Sequence, residues 1–166
     1  STRGWYNTSN DRMMLLNRSF VEHNDGKTMV GDTIFYDKKN KYAEAYSNVE
    51  LNDNKKKTTL YGNYVSYDET KETGLATDSA LLVDWSDIKD SLFLSADTLY
   101  SMKDSTFDVV RAYKNVRFLR NDFQGMSDSL MYSGRDSIMH LNSAPVLWSD
   151  NNQLMGGRIT RSEEHT

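Results

Sequence analysis

Cysteine is absent from the 166 residues, so neither a disulfide framework nor a thiolate metal site can hold this chain together. The absence does not fix the compartment, because proteins of oxidising spaces can also do without cysteine. Proline occurs once, at Pro145. Proline cannot donate to a β-ladder and gathers at sheet edges, so the end of a sheet is expected near Pro145. No apolar run approaches the roughly 20 residues of a membrane-spanning helix. Hydrophobic residues make up only 37% of the chain, which suits a thin layered structure with much exposed surface. A net charge of −4 gives no electrostatic reason to expect nucleic acid or an anionic bilayer as partner. The one cluster of like charge, Lys55-Lys56-Lys57, falls among turn residues and reads as a solvated loop. Helical periodicity is scarce too. Only Asn10 to Asn17 has room for two helical turns, and it reads better as a strand or an irregular lead-in.

Signatures of catalysis are also missing. His23, His140 and His165 have no metal-ligand spacing with one another. Neither a Gly-x-Ser-x-Gly elbow nor a glycine-rich phosphate loop is present. Carboxylates are plentiful, but they recur at equivalent positions, which marks structure rather than one active site. No catalytic residue, metal ligand or cofactor is expected, and an enzyme is not.

What the chain does have is a repeat. Met29-Val30-Gly31-Asp32-Thr33-Ile34-Phe35-Tyr36-Asp37 returns as Leu60-Tyr61-Gly62-Asn63-Tyr64-Val65-Ser66-Tyr67-Asp68. It returns again around Ala96-Asp97-Thr98-Leu99, around Ser127-Asp128-Ser129-Leu130, and in worn form at Gly156-Gly157-Arg158-Ile159. Asp32, Asn63, Asp97, Asp128 and Gly157 are then equivalent, at intervals of 31, 34, 31 and 29 residues. A fixed period of this size is the mark of stacked units. Each unit has a second half: Ala43-Glu44-Ala45-Tyr46-Ser47-Asn48-Val49-Glu50-Leu51 recurs as Ala76-Thr77-Asp78-Ser79-Ala80-Leu81-Leu82, again as Ala112-Tyr113-Lys114-Asn115-Val116-Arg117-Phe118, and faintly as Asn142-Ser143-Ala144-Pro145-Val146. An earlier trace is Leu16-Asn17-Arg18-Ser19-Phe20. Between the halves lie turns rich in Asp, Asn, Lys and Ser, residues that bond their own backbone.

Alternation of period two assigns faces. Ala43, Ala45, Val49 and Leu51 share one parity, as do Ala80 and Leu82, then Ala112, Val116 and Phe118, then Ala144, Val146 and Trp148. Two residues after each Asp an aliphatic recurs: Ile34, Val65, Leu99, Leu130, Ile159. Strict alternation would turn the Asp inward with it. The small residue before the Asp favours a bend in the strand instead. Two strands per unit joined by short polar turns predict hairpins. The fold expected is all-β, with repeated antiparallel hairpins stacked into an open, rolled, jelly-roll or taco-like sheet. It is one domain over 1–166, with a lead-in at 1–19, hairpin repeats at 20–160 and a frayed tail at 161–166.

The pairing of Gly-Asp-x-aliphatic-x-Tyr-Asp with Ala-x-x-Asn-Val resembles the OstA-like family, which includes the periplasmic lipopolysaccharide-transport bridge protein (the LptA-like type) and the N-terminal domain of its outer-membrane partner. The resemblance rests on Gly31-Asp32, Tyr36-Asp37, Ser47-Asn48-Val49, Gly62-Asn63, Tyr67-Asp68, Asp97, Lys114-Asn115-Val116 and Asp128, and spans about Phe20 to Thr160. The repeated Asp-Ser and Asp-Thr pairs resemble the version found in Bacteroidota. The resemblance implies an apolar trough that holds the acyl chains of lipopolysaccharide or lipid A in the periplasm. It implies head-to-tail stacking on copies of the same chain or on same-fold domains of the transport machinery. A signal peptide would then precede the mature chain. Trough-facing candidates are Ile34, Val49, Leu51, Val65, Leu82, Leu99, Val116, Phe118, Leu130, Val146 and Trp148, each of which plain core packing also explains. A structural or adhesive repeat module that binds protein through its sheet edges is the alternative.

Overall fold

A computed structural model describes residues 3–87, 89–149 and 152–162. Thirteen strands and no helix are found among them: β1 (Arg3–Asn7), β2 (Arg12–Glu22), β3 (Lys27–Asp37), β4 (Tyr42–Asp53), β5 (Thr58–Asp68), β6 (Thr73–Asp84), β7 (Leu92–Asp104), β8 (Phe107–Arg120), β9 (Phe123–Ser133), β10 (Ile138–Asn142), β11 (Val146–Ser149), β12 (Asn152–Met155) and β13 (Arg158–Ser162). All pairs are antiparallel. The order runs β1 to β10 and then β13, with β11 between β9 and β12. The first and last strands do not meet, so the sheet is open. The lead-in is a β1–β2 hairpin, and β2 carries the trace seen at Asn17. Of the tail, Arg161 and Ser162 belong to β13, whereas 163–166 lie outside the described residues.

Turn chemistry accounts for the hairpins. At the end of β3, Asp37 Oδ1 accepts the Asn40 backbone N–H at 2.9 Å. Asp53 Oδ1 takes the N–H groups of Lys55 and Lys56 at 3.1 and 3.0 Å, and Asp68 Oδ1 those of Thr70 and Lys71 at 3.0 Å each. The Asp that ends each of these strands is thus a turn-closing acceptor.

Midway along each long strand the sheet creases. Register slips between Leu16 and Ser19, Tyr46 and Val49, Thr77 and Ala80, and Tyr113 and Val116. At each slip an extra residue is inserted in the left-handed region: Asn17 (φ 65°), Ser47 and Asn48 (61° and 51°), Asp78 and Ser79 (58° and 64°), Lys114 and Asn115 (62° and 51°). Asn and Asp tolerate that region better than other residues with a Cβ. Ser143 and Ala144 repeat the pair (61° and 54°) between β10 and β11, so those two strands are one creased strand broken at its bend. The crease divides the sheet into two leaves. One carries residues 19–22, 27–31, 49–53, 58–62, 80–84, 92–96, 116–120, 123–127 and β11–β12. The other carries β1, 12–16, 33–37, 42–46, 64–68, 73–77, 98–104, 107–113, 129–133, β10 and β13.

The Gly-Asp motif is now explained. The small residue lies inside the crease and the acid outside it. Gly31, Gly62, Ala96 and Ser127 are buried, while Asn63, Asp97 and Asp128 are exposed. A Cβ on Gly62 would sit 3.0 Å from the Thr77 carbonyl oxygen and 3.1 Å from that of Tyr64. Outside, the acids and amides form a ladder across the strands. Asn48 donates to Asp32 at 3.2 Å, Asn63 to Asp78 at 3.3 Å, and Asn115 to Asp97 at 3.0 Å. Arg18 ties the first rung, bonding the Asn48 carbonyl and pairing with Glu50 at 3.0 Å.

The last copy is shifted from the sequence reading by one residue. Val146 pairs with Met126 and Leu147 with Gly125, whereas in the preceding unit Phe118 pairs with Gly125. Pro145 therefore occupies the place of Val116, and Leu147 that of Phe118. Pro145 and Leu147 are buried, and Val146 and Trp148 turn to the outer face. A proline is accommodated there because the chain leaves the ladder at the crease, where no N–H is required. The sheet continues one strand beyond it, through β12 and β13.

Candidate ligand-binding trough

The inner faces of the two leaves meet in rows. The row next to the crease holds Ile34, Val49, Val65, Leu99, Val116 and Leu130, all at most 2% exposed. These six expected trough residues are the packed floor of the fold. Phe118 lies beside them, its ring over Gly125 and tilted against Phe123 at 5.6 Å. The next row outward is less complete. Leu51 and Leu82 are half-buried and pair in register with Leu60 and Leu94.

Between the leaves this second row leaves a cavity of about 370 Å³. Leu51, Leu60, Leu82 and Leu94 line it from one leaf, and Leu130 and Met139 from the other. Of the residues expected to face a trough, Leu51, Leu82 and Leu130 line this cavity. Leu60, Leu94 and Met139 line it as well and were not among those expected, although following the row from Leu51 and Leu82 along the pairing leads to the first two. Trp148 lies on the opposite surface beside Phe93, Leu119 and Met126. Trp85 is also outside, donating its indole N–H to Thr59 Oγ1 at 3.2 Å.

The mouth of the trough is polar. Lys27, only 14% exposed at its side chain, holds Asp25 at 2.5 Å and reaches Asp53 at 3.8 Å. It also lies over the ring of Tyr67, 5.3 Å from its centre. Burial works against the Lys27 charge, but Asp25 and Tyr67 outweigh it and hold the ammonium above its ordinary range. Burial likewise opposes the Asp25 charge, and the bonds from Lys27 and His23 still bring that carboxyl down to about 2. Tyr36, half-buried and donating to Glu69 at 3.1 Å, is pushed up to about 12, first by its partial burial and then by Glu69. Besides Lys27 over Tyr67, three ionisable side-chain pairs join one leaf to the other across this mouth. His23 Nε2 lies 2.8 Å from Glu69, Lys56 Nζ 2.5 Å from Asp108, and Arg161 Nη2 2.8 Å from Asp122. Among the described residues no cluster of three or more His, Asp or Glu side chains is placed to hold a metal.

An open antiparallel sheet, creased along one line and enclosing an apolar cavity between its leaves, defines a β-jelly-roll of the trough type. Residues 4–107 match the family described as OstA-like protein, and the chain belongs to that family. None of the curated proteins matches the sequence. Among solved structures, similarity is found to LptH from Pseudomonas aeruginosa, described as the LptA homologous periplasmic component of the conserved lipopolysaccharide transport device. Identity is 16% and the TM-score 0.62, over 74% of this chain and 86% of that one. At that identity the likeness is one of fold.

Proposed function

We propose that this protein is a periplasmic bridge or carrier for lipopolysaccharide on its way to the outer membrane, holding acyl chains between the two leaves. The observation that carries the reading is the cavity of about 370 Å³, floored by aliphatic side chains beneath a charged mouth. Its volume falls in the range of about 300–1,000 Å³ common to ligand pockets. Each methylene moved from water onto such a floor contributes roughly 0.8 kcal/mol, so an acyl chain needs no directed polar contact to be held. Family membership supports the same reading. The function requires no chemistry on the ligand, and no residue is given a catalytic role.

The edges support assembly. Among the described residues β1 covers only Arg12–Leu16 of β2, leaving Ser19–Glu22 without a neighbour on that side. At the other end β12 presents Leu154 and Met155, 54% and 71% exposed. Unpaired edges of this kind recruit further strands. Head-to-tail stacking on a second copy, or on a same-fold domain of the transport machinery, would continue the trough.

Lipid A binding tests the reading. Tryptophan quenching is a poor reporter, since Trp85 and Trp148 are on the outer face. A photoreactive phenylalanine at Leu82, inside, and at Tyr113, outside, should label lipid A from the first position alone. Equal labelling from both, or no saturable binding, would overturn the proposal.

A further inference from the structure

The position of the main cavity is set by two small residues. On the inner face of the leaf that carries β10 and β13, cross-strand pairing sets Ala43, Tyr67, Gly74, Ser101, Val110 and Tyr132 side by side. Gly74 and Ser101 make a dip in this row, facing the leucines of the other leaf. Tyr67 and Tyr132, which both line the cavity, bound the dip at its two ends. Beyond Tyr67, toward β2 and β3, lies a second cavity of only about 30 Å³, lined by Val21, Met29, Ile34 and Tyr36 among others. Lys27, Leu51 and Tyr67 line both cavities, so they stand between them. Lys27 and Leu51 come from one leaf and Tyr67 from the other. Tyr67 is 9% exposed. The Lys27 ammonium lies 5.3 Å from the centre of its ring and is held from its own leaf by Asp25 at 2.5 Å. A ring and a cation from opposite leaves thus cross the trough from wall to wall.

We propose that Tyr67, backed by Lys27, is a bulkhead across the trough: acyl chains rest in the main cavity and reach the N-terminal end only when the Tyr67 ring turns aside. The proposal rests on the function proposed above and concerns passage along the trough from one stacked neighbour to the next. Three features point to it. The N-terminal cavity has room for roughly two water molecules and none for an acyl chain, so the trough is divided as it stands. The ring has somewhere to go, because its cross-strand neighbour on the main-cavity side is Gly74, which carries no side chain. A turn about the first side-chain torsion moves a tyrosine between staggered wells and breaks no backbone pairing. The contact that steadies the ring is a charge over its face, a weak interaction that favours the closed position without locking it. A ligand handed from copy to copy then advances in steps, with one stop in each chain, rather than by a continuous slide.

A photoreactive phenylalanine at Leu82, in the main cavity, or at Val21, in the N-terminal one, reports which side of the bulkhead holds the ligand. With one lipid A per chain and Tyr67 intact, labelling should come from Leu82 and not from Val21. Tyr67→Ala joins the two cavities and should add labelling from Val21. Tyr67→Phe keeps the ring and should behave as the parent chain does. Tyr132→Ala controls for general loosening: it removes a ring of the same row at the far end of the dip, and Val21 should stay silent. Equal labelling from Leu82 and Val21 with Tyr67 intact would show an undivided trough and overturn the proposal. So would a Tyr67→Ala protein, folded by far-UV circular dichroism, in which Val21 stays silent, or a Tyr132→Ala protein in which Val21 labels. The comparison with Tyr67 intact decides even where Tyr67→Ala does not fold. Each of these results leaves the carrier function standing while Leu82 labels saturably. Loss of saturable labelling from Leu82 with Tyr67 intact would remove that function, and the bulkhead with it.

Discussion

Val116→Asp tests the assignment of faces at its most buried point. Val116 is fully buried in the row beside the crease and pairs with Ser127 of β9. Removing the valine forfeits about 1.5–3 kcal/mol of burial. The carboxylate that replaces it finds no cation there, and a polar group without a partner costs roughly a further 2 kcal/mol or more even when protonated. The sum, about 3.5–5 kcal/mol, compares with about 5–15 kcal/mol for the stability of an ordinary domain. With a urea dependence of roughly 2 kcal/mol per molar, the unfolding midpoint followed by far-UV circular dichroism should fall by about 2 M. Glu50→Lys is the control on the outer face. It removes the exposed 3.0 Å pair with Arg18 and brings two cations together. Such a change is worth at most about 1 kcal/mol, a midpoint shift of about 0.5 M. Equal shifts for the two substitutions would refute the division into inner and outer faces.

Two further outcomes follow from packing and charge. Gly125→Val drives a side chain into the Phe118 ring and to within 2.7 Å of the Val146 carbonyl oxygen, so it should lower stability by about 2–3 kcal/mol and the thermal midpoint by roughly 5–10 °C; an unchanged midpoint in calorimetry would show that β9 and β11 are not held at this register. Acid should unfold the protein in a definite window. Asp25 is brought down to about 2, Asp37 is lowered chiefly by the Asn40 N–H, and Asp68 chiefly by the Lys71 N–H. Depressed carboxyls stabilise the fold above their unfolded value of about 3.9 and lose that contribution as pH falls through the folded values. Stability in urea should therefore drop between about pH 4 and pH 2, and a flat profile there would contradict these turn assignments.

The unit, the hairpins and the open sheet were legible because the period is kept in the residues that need it: a small residue in the crease, an acid outside it, an aliphatic two places on. The floor was legible for the same reason, through Ile34, Val65, Leu99 and Leu130. The last copy was misread where the pattern lost its own marker. Ala144-Pro145 replaces Asn-Val, and Val146 then looks like the missing valine, although Pro145 fills that place. The second row was only half found, because Leu60 and Leu94 stand before the small-residue step of one strand and Leu51 and Leu82 after the bulge of the other, and only the pairing puts them side by side. The mouth was not legible at all. Lys56 reads as one lysine of a solvated triplet, and its partner Asp108 is 52 residues away.

The half-covered edge at β2 gives the structure a direction. In the backbone ladder each creased hairpin pairs only with the one before and the one after, so, apart from the side-chain contacts across the mouth, the array is close to a one-dimensional object whose length is a number of units and whose stability is shared among their interfaces. Its two ends are unlike. Among the described residues one carries a half step, where β1 shields Arg12–Leu16 but not Ser19–Glu22, and the other carries two short separate strands, β12 and β13. A file of such objects therefore has a sense, like an arrow, and a neighbour shaped to fit the step at one end cannot use the same contacts to fit the other.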